Sequence, residues 1–585
     1  MFDREIVAVV KRLISEHGTA ILKDRPKLLS FLRDYTKNCL PRESYLIIKG
    51  LDTGIYEKFC GADSSEKVKN IYMDRLHNEM CLNEAATAFI IEAWAEIAGK
   101  EVKVDAGSRR RFFQAGSFGG NYSTLAKKGD VPRVLTRDLA EQYYAANVVR
   151  LPLGIVEIGE DAFAGCENLK SIILPPSVQK IADGAFRECF KLTSVVIPYG
   201  VKKIGNEAFA ECDNLQQISI PDSVASLGEG CFAKCCRLEK VSLPLDLVRL
   251  SSDLFSDCGN LSHVSLPRRL KYIGESAFLN CYSLLNIVLP ETVVMIEDGA
   301  FWGCQNLQSV YLGYHLKEIG ASAFRNCESL RQVKLPVNVE KIGGGAFWGC
   351  IMISEVILPA KVKVLNGNTF YGCTSLSRVV LPQGMTSIGT SAFRACRALS
   401  GLELPESIMS IGREAFKECE KIISLHLPHG MLRLESELFY GCESLYEVTL
   451  PTRLKFLGDG AFLGCSALYK VQLPDSLEEI SEKCFWSCNG LGEVKLPRRL
   501  RAIGKEAFAA CLGLSELKLP NTVEKIGDGA FCMCTGLMKI DLPKKLSALG
   551  SDIFAECGEN LVISAAKGSF AAEYCKLNNL NFVEA

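Results

Sequence analysis

Two imidazoles and two carboxylates recur at matched spacing in this chain: Glu403-Leu-Pro-Glu406 is followed 23 residues later by His426-Leu-Pro-His429. Set side by side, such groups are competent to hold a divalent metal, since imidazole nitrogen and carboxylate oxygen suit first-row cations. Both pairs straddle a proline, so their convergence depends on a bend. The same positions one repeat further on carry Thr449 and Thr452. Polar side chains are thus the rule at these positions, and we expect neither metal binding nor catalysis there. Cys231-x3-Cys235-Cys236 and Cys484-x3-Cys488 also invite a zinc reading. Cys231 and Cys484, however, stand in a column otherwise filled mostly by alanine, which marks them as small core residues.

A third constellation is the residue that follows a recurrent phenylalanine. Its middle and later members include Trp302, Arg325, Trp348, Tyr371, Arg394, Lys417, Tyr440 and Trp486, with three of the chain's four tryptophans. Aromatic residues and arginine are the types enriched at interface hot spots. Trp302, Arg325, Trp348, Tyr371, Arg394, Tyr440 and Trp486 are therefore our candidate partner-binding residues, for a protein or a glycan. The competing reading is a self-satisfied stripe in which cation–π stacking between repeats adds stability without any partner. No Gly-rich phosphate loop, HExxH, nucleophile elbow or kinase motif set is present. The chain has only six histidines. We expect no enzyme and no cofactor, the more so because active sites are usually built on irregular loops and none interrupts the repeats.

What must position these residues is the period itself. Phenylalanine recurs every 23 residues from Phe163 to Phe554 and cysteine from Cys166 to Cys557, giving 18 units without insertion or deletion. A proline column runs from Pro175 to Pro543, broken only at Gly313. Self-similarity at this period predicts a solenoid whose units bury their apolar faces against their neighbours. In one unit, Leu169, Ile172 and Leu174 point inward, the last two alternating as a strand requires. Pro175 ends the strand because it cannot donate to the ladder, and Val178 and Ile181 form a second inward pair. Ala162-Phe163 and Cys166 close the turn, the small alanine letting phenylalanine rings stack. Glycines such as Gly205, Gly228 and Gly274 are expected at tight corners that need unusual backbone angles.

The recurring "IGxxAFxGCxxLxxVxLPxxV" resembles the BspA-like leucine-rich repeats, a 23-residue class, over roughly residues 148–585. The resemblance implies an α/β, β-rich leucine-rich-repeat solenoid of about 18 rungs, with a parallel sheet on the concave side and short strands or helical turns outside. A small all-α domain would precede it. "GSFAAEYCKLNNLNFVEA" at 568–585 resembles the helix-plus-strand cap of such arrays, which need atypical end units to cover the last core layer. Residues 1–104 read as a helical module: Ile6, Val10, Leu13 and Ile14 mark one apolar face, and Leu82, Ala86, Phe89, Ile90, Ala93, Trp94 and Ile97 another. Asn83 is placed to cap the second helix and Gly99 to stop it. This module resembles one attached to various uncharacterised bacterial proteins. Residues 105–131, with Arg109-Arg110-Arg111, read as a linker, and residues 132–585 as the solenoid with its cap.

Net charge is −1, from 67 basic and 68 acidic residues, so no global field favours nucleic acid or an anionic membrane. The arginine pairs Arg268-Arg269 and Arg498-Arg499 lie ten repeats apart and cannot form one basic stripe. The first 20 residues hold Asp3, Arg4, Glu5, Lys11 and Arg12, which is no signal peptide, and no later segment approaches a membrane span. Of 26 cysteines, 18 fall in the one inward column. Parallel neighbours there do not naturally give a disulfide's torsion, and reduced thiols suit a reducing compartment. We therefore expect a cytoplasmic protein, with a cell-surface location reached by a non-classical route as the alternative.

The outward strand positions drift from neutral (Ser171, Ser194, Gln217, Ser219, Ser242, Ser265) to charged (Glu447, Lys470, Glu493, Lys495, Glu516, Lys518, Asp541). Such a surface suits a large protein partner, and solvated charge accounts for it equally well. The principal expectation is a non-catalytic interaction scaffold, adhesion being what the resemblance implies. The alternatives are a sensor whose helical module carries the output, and an enzyme confined to residues 1–104.

Overall fold

The computed structural model describes residues 131–584 throughout. Before them it describes 5–24, 27–28, 30–32, 47, 50–51, 55–61, 65–74, 84–100 and 102. The linker expected over 105–131, with its arginine run, lies outside the described residues except for Val131, and so do His77, Leu82 and Asn83. The chain divides into two compact units, Met1–Ala208 with Leu215–Ser226, and Phe209–Asn214 with Leu227–Ala585.

In the first unit, helices α1 (Glu5–His17), α2 (Ile55–Cys60), α3 (Ser65–Asp74) and α4 (Glu84–Ile97) share one apolar core that includes Ile6, Val10, Leu13, Phe59, Ile90 and Trp94. The Trp94 indole N–H donates to the Ile47 carbonyl at 3.1 Å, so its one polar atom is satisfied inside. Gly50 is required beside it, since a β-carbon there would meet the indole at 2.4 Å. The same unit holds the first rungs, in which Val148–Arg150, Ser171–Ile173 and Ser194–Val196 pair in parallel at a register of one repeat. Tyr143 and Tyr144 lean on Phe163 at 6.3 Å and close the start of the phenylalanine column.

The second unit repeats this rung down to the C-terminus, and the strand-bearing rungs make a parallel-strand β-solenoid of about 20 turns. Two parallel ladders run along it, one of three-residue strands such as Asn286–Val288 and one of two-residue strands such as Met295–Ile296. A third line of hydrogen bonds runs through the turn: the N–H groups of Gly299, Phe301 and Gly303 donate to carbonyls of the next rung, each at 2.8 Å. Phenylalanine rings from Phe209 to Phe554 stack with centroids 5.1 to 5.9 Å apart. At the end, Ser569 caps helix Phe570–Leu577, and Phe582–Glu584 pairs with Val562–Ala565 as a last strand.

The corner glycines have a different cause from the one their sequence suggests. Gly205 and Gly274 are absent from the left-handed residues. Instead the preceding rung passes so close that a β-carbon on Gly205 would meet Asp183 N at 2.5 Å, and one on Gly274 would meet Leu250 O at 2.5 Å. The unusual angles lie two residues before and two after each phenylalanine, as at Asp253 (φ 53°) and Asp257 (φ 59°) around Phe255, and these positions are often not glycine.

Candidate functional site

The left-handed pair fixes where the turn column points. With Phe301 and Cys304 buried, Trp302, which directly precedes the second left-handed position at Gly303, is turned outward and is 37 % exposed. One repeat separates each member from the next, so large side chains in this column meet. The Arg325 guanidinium lies over Trp302 at 4.8 Å and over Trp348 at 4.0 Å. Trp348 and Tyr371 are tilted together at 4.5 Å, and Arg394 lies over Tyr371 at 5.4 Å. Further along, Lys417 lies 4.2 Å from the Tyr440 ring centroid. Trp486 is half-buried on the same column.

The cations of this stripe are not equivalent. Arg394 pairs with Glu414, and Lys417 with Glu437 at 2.6 Å. Burial opposes the ionisation of Glu437, but Lys417 and Arg413 outweigh it and hold the carboxyl below its usual range. Arg325 differs. It lies between two indole faces without a carboxylate partner among the described residues, while its buried Nε lacks a hydrogen-bond partner just as that of Arg394 does.

On the strand face the structure adds residues that the sequence reading passed over. Val288, Tyr311 and Ile357 are 68 %, 53 % and 56 % exposed, in a column that elsewhere carries Ser265, Lys334 and Glu403. The signal was present: these strands place two apolar residues in succession, which breaks the inward–outward alternation. Tyr446 and Tyr469 form a second exposed pair, stacked at 5.7 Å. The late charged positions pair across strands, with Lys470 and Glu493 at 2.8 Å.

The bend at Pro428 does not separate the imidazoles. His426 ends the strand Ser424–His426, and its ring stands 5.2 Å from that of His429 at 87°. Of the two carboxylates, Glu406 joins them, with its Oε1 3.4 Å from His426 Nε2. Glu403 instead lines a groove of about 400 Å³ with Ser424, His426, Glu447 and Thr449.

The cysteine column has a bonding role. Every described cysteine is free. The Cys304 thiol donates to the Phe278 carbonyl at 3.1 Å, and the same carbonyl accepts the Cys281 N–H at 3.2 Å. The pattern recurs at Cys327, Cys350 and Cys373 toward Phe301, Phe324 and Phe347. Cysteine suits the position because it is small and apolar yet supplies a weak donor for the carbonyl's second lone pair. Cys231, Cys235, Cys484 and Cys488 are all buried, and the thiols of Cys235 and Cys488 are spent on Phe209 and Phe462.

Parallel rungs, an inward leucine and phenylalanine core, and outward columns free to vary define a leucine-rich-repeat solenoid. The family described as BspA type leucine rich repeat region matches residues 142–262, 248–377, 364–492 and 457–578, and the chain belongs to it. A leucine-rich repeat protein from Bacteroides ovatus is similar at 29 % identity over 66 % of this chain and 88 % of that one, with a TM-score of 0.47. One from T. pallidum is 31 % identical over 32 % of this chain and 78 % of that one, with a TM-score of 0.25. A leucine rich cell surface protein from Faecalibacterium prausnitzii is 21 % identical over 66 % of this chain and 87 % of that one, with a TM-score of 0.32. No curated protein matches the chain in sequence. Among the described residues no helix is long and apolar enough to cross a membrane.

Proposed function

We propose that the chain is a non-catalytic scaffold that docks a protein partner on the turn column, centred on Arg325. Trp302, Trp348, Tyr371 and Arg394 flank that centre, and Tyr440 and Trp486 extend it. The observation that carries this reading is the guanidinium held between two indoles with no carboxylate partner among the described residues, while Arg394 and Lys417 are already paired. An ordered but unpaired cation between aromatic faces fits an acidic side chain on the partner, and its order lowers the entropy lost on binding. Replacing Trp302, Trp348 and Tyr371 with alanine should abolish partner capture by the full chain, with partners identified by mass spectrometry. Arg325→Gln alone should weaken affinity by about 30-fold, a hot-spot loss of about 2 kcal/mol. The cation–π contacts forfeited are worth about 0.5–1 kcal/mol each, so the thermal midpoint should move little. A variant that keeps its partners while melting much earlier would assign the stripe to stability alone, and recovery of glycans in place of proteins would change the partner class.

We also propose that the protein works in a reducing, cytoplasmic compartment. Unpaired thiols throughout the described chain support this, since exported proteins tend to oxidise theirs. Recovery of the native protein from the outer surface or the medium in cell fractionation would overturn it.

A further inference from the structure

The turn after the strand Ser424–His426 brings together three side chains that no part of the scaffold reading uses. One ligand atom each from Glu406, His426 and His429 lie within 4.8 Å of one another. All three side chains are exposed, so an ion reaching them displaces only water. Two of the chain's six histidines are here. The neighbouring rung offers Thr449 and Thr452 at the corresponding positions, so the pair of imidazoles is local to this rung and is not a feature of the repeat.

We propose that Glu406, His426 and His429 form a divalent-cation site of the zinc type, with its remaining coordination positions open to solvent. Four ligands at ~2.0–2.1 Å around a tetrahedral ion stand about 3.3 Å apart. Glu406 Oε1 and His426 Nε2 are already 3.4 Å apart. The widest separation, 4.8 Å, closes by rotation of exposed side chains. The perpendicular imidazoles, at 87°, are not stacked, which leaves their ring nitrogens free to aim at a common point. The other oxygen of Glu406 accepts the His429 backbone N–H at 3.1 Å, an orienting contact of the kind that supports metal-bound carboxylates. Two imidazoles and one carboxylate favour a borderline cation such as Zn²⁺ over Mg²⁺ or Ca²⁺, which take mainly oxygen ligands.

The test uses the full chain, free of any affinity tag, titrated calorimetrically with Zn²⁺ and with Mg²⁺. One Zn²⁺ per chain should bind, Mg²⁺ should not compete, and Zn²⁺ should protect both His426 and His429 from histidine acylation mapped by mass spectrometry. His426→Ala and His429→Ala should each weaken binding by more than the roughly 10–100-fold that loss of an orienting partner costs, and Glu406→Gln should also weaken it. Because these positions are exposed, the variants should keep the wild-type circular dichroism. A Cys60→Ser, Cys236→Ser variant, which removes the two exposed thiols among the described cysteines, should bind as wild type does. Acylation unchanged by Zn²⁺, or binding that survives the double histidine substitution, overturns the proposal.

Discussion

Above about pH 9 the array should lose stability steeply, and its buried thiols should become reactive together. Burial pushes the thiols of Cys304, Cys373 and Cys442 up to about 12, against about 8.5 for an exposed cysteine. Burial, reinforced by neighbouring thiols, raises Cys327 and Cys350 well above the ordinary value too. The folded state therefore holds these protons more tightly than the unfolded chain does. The resulting stability is complete below the unfolded pKa and is lost as the pH rises toward the folded one. In that window each thiol contributes a slope of about 1.4 kcal/mol per pH unit. Denaturation midpoints should fall progressively through it, while thiol labelling, slow for the column at neutral pH, accelerates. Cys60 and Cys236, exposed among the described cysteines, should label first. Lysine and tyrosine titrate in the same range, so the deciding comparison replaces Cys304, Cys327, Cys350 and Cys373 with alanine. Its slope in those rungs should be shallower by about 5 kcal/mol per pH unit, four protons' worth. An unchanged slope, or rapid labelling of the column at neutral pH, would contradict the buried ladder.

Phe347→Ala should destabilise its rungs by about 3–5 kcal/mol. The ring is 1 % exposed and stacks on Phe324 and Phe370 with centroids 5.5 Å away on either side, at 2° and 6°. Removing it deletes both aromatic contacts and opens a cavity that neighbouring rings in a continuous column cannot fill without shifting their own. The backbone bond from the Phe347 N–H to the Thr369 carbonyl, 2.9 Å, remains available to alanine, so the loss belongs to the ring. Rung stability depends on nearest neighbours, and hydrogen exchange should therefore accelerate around Phe324–Phe370 well before distant rungs respond. Denaturant unfolding that changes by less than about 1 kcal/mol would mean that the column bears no load there.

The repeat alone determined the architecture. An inward side chain in one rung is inward in its whole column, so Phe163 and Cys166 predict the Phe column to Phe554 and the Cys column to Cys557, and the alternation at Ile172 and Leu174 predicts the ladder. The outward direction of Trp302 followed from its place between an inward Phe and an inward Cys. The sequence could not say what holds the turn open. Left-handed backbone occurs at Glu437, Lys483 and Met533 as readily as at Gly303, because three hydrogen bonds to the next rung and a buried ring on each repeat outweigh a strain of about 1–2 kcal/mol per residue. Composition does not report a conformation imposed by neighbours. Nor could the period reveal that Gly205 and Gly274 answer to close approach between rungs, or that cysteine recurs because one carbonyl accepts from two rungs. The same holds for the candidate sites: the letters named Trp302, Arg325, Trp348, His426 and His429. Only the spacing of stacked rungs decided that Arg325 lies between two indoles, and that Glu406, rather than Glu403, reaches the imidazoles. Those are distances between different repeats, set by how far one rung is offset from the next, and a one-dimensional period carries no information about that offset.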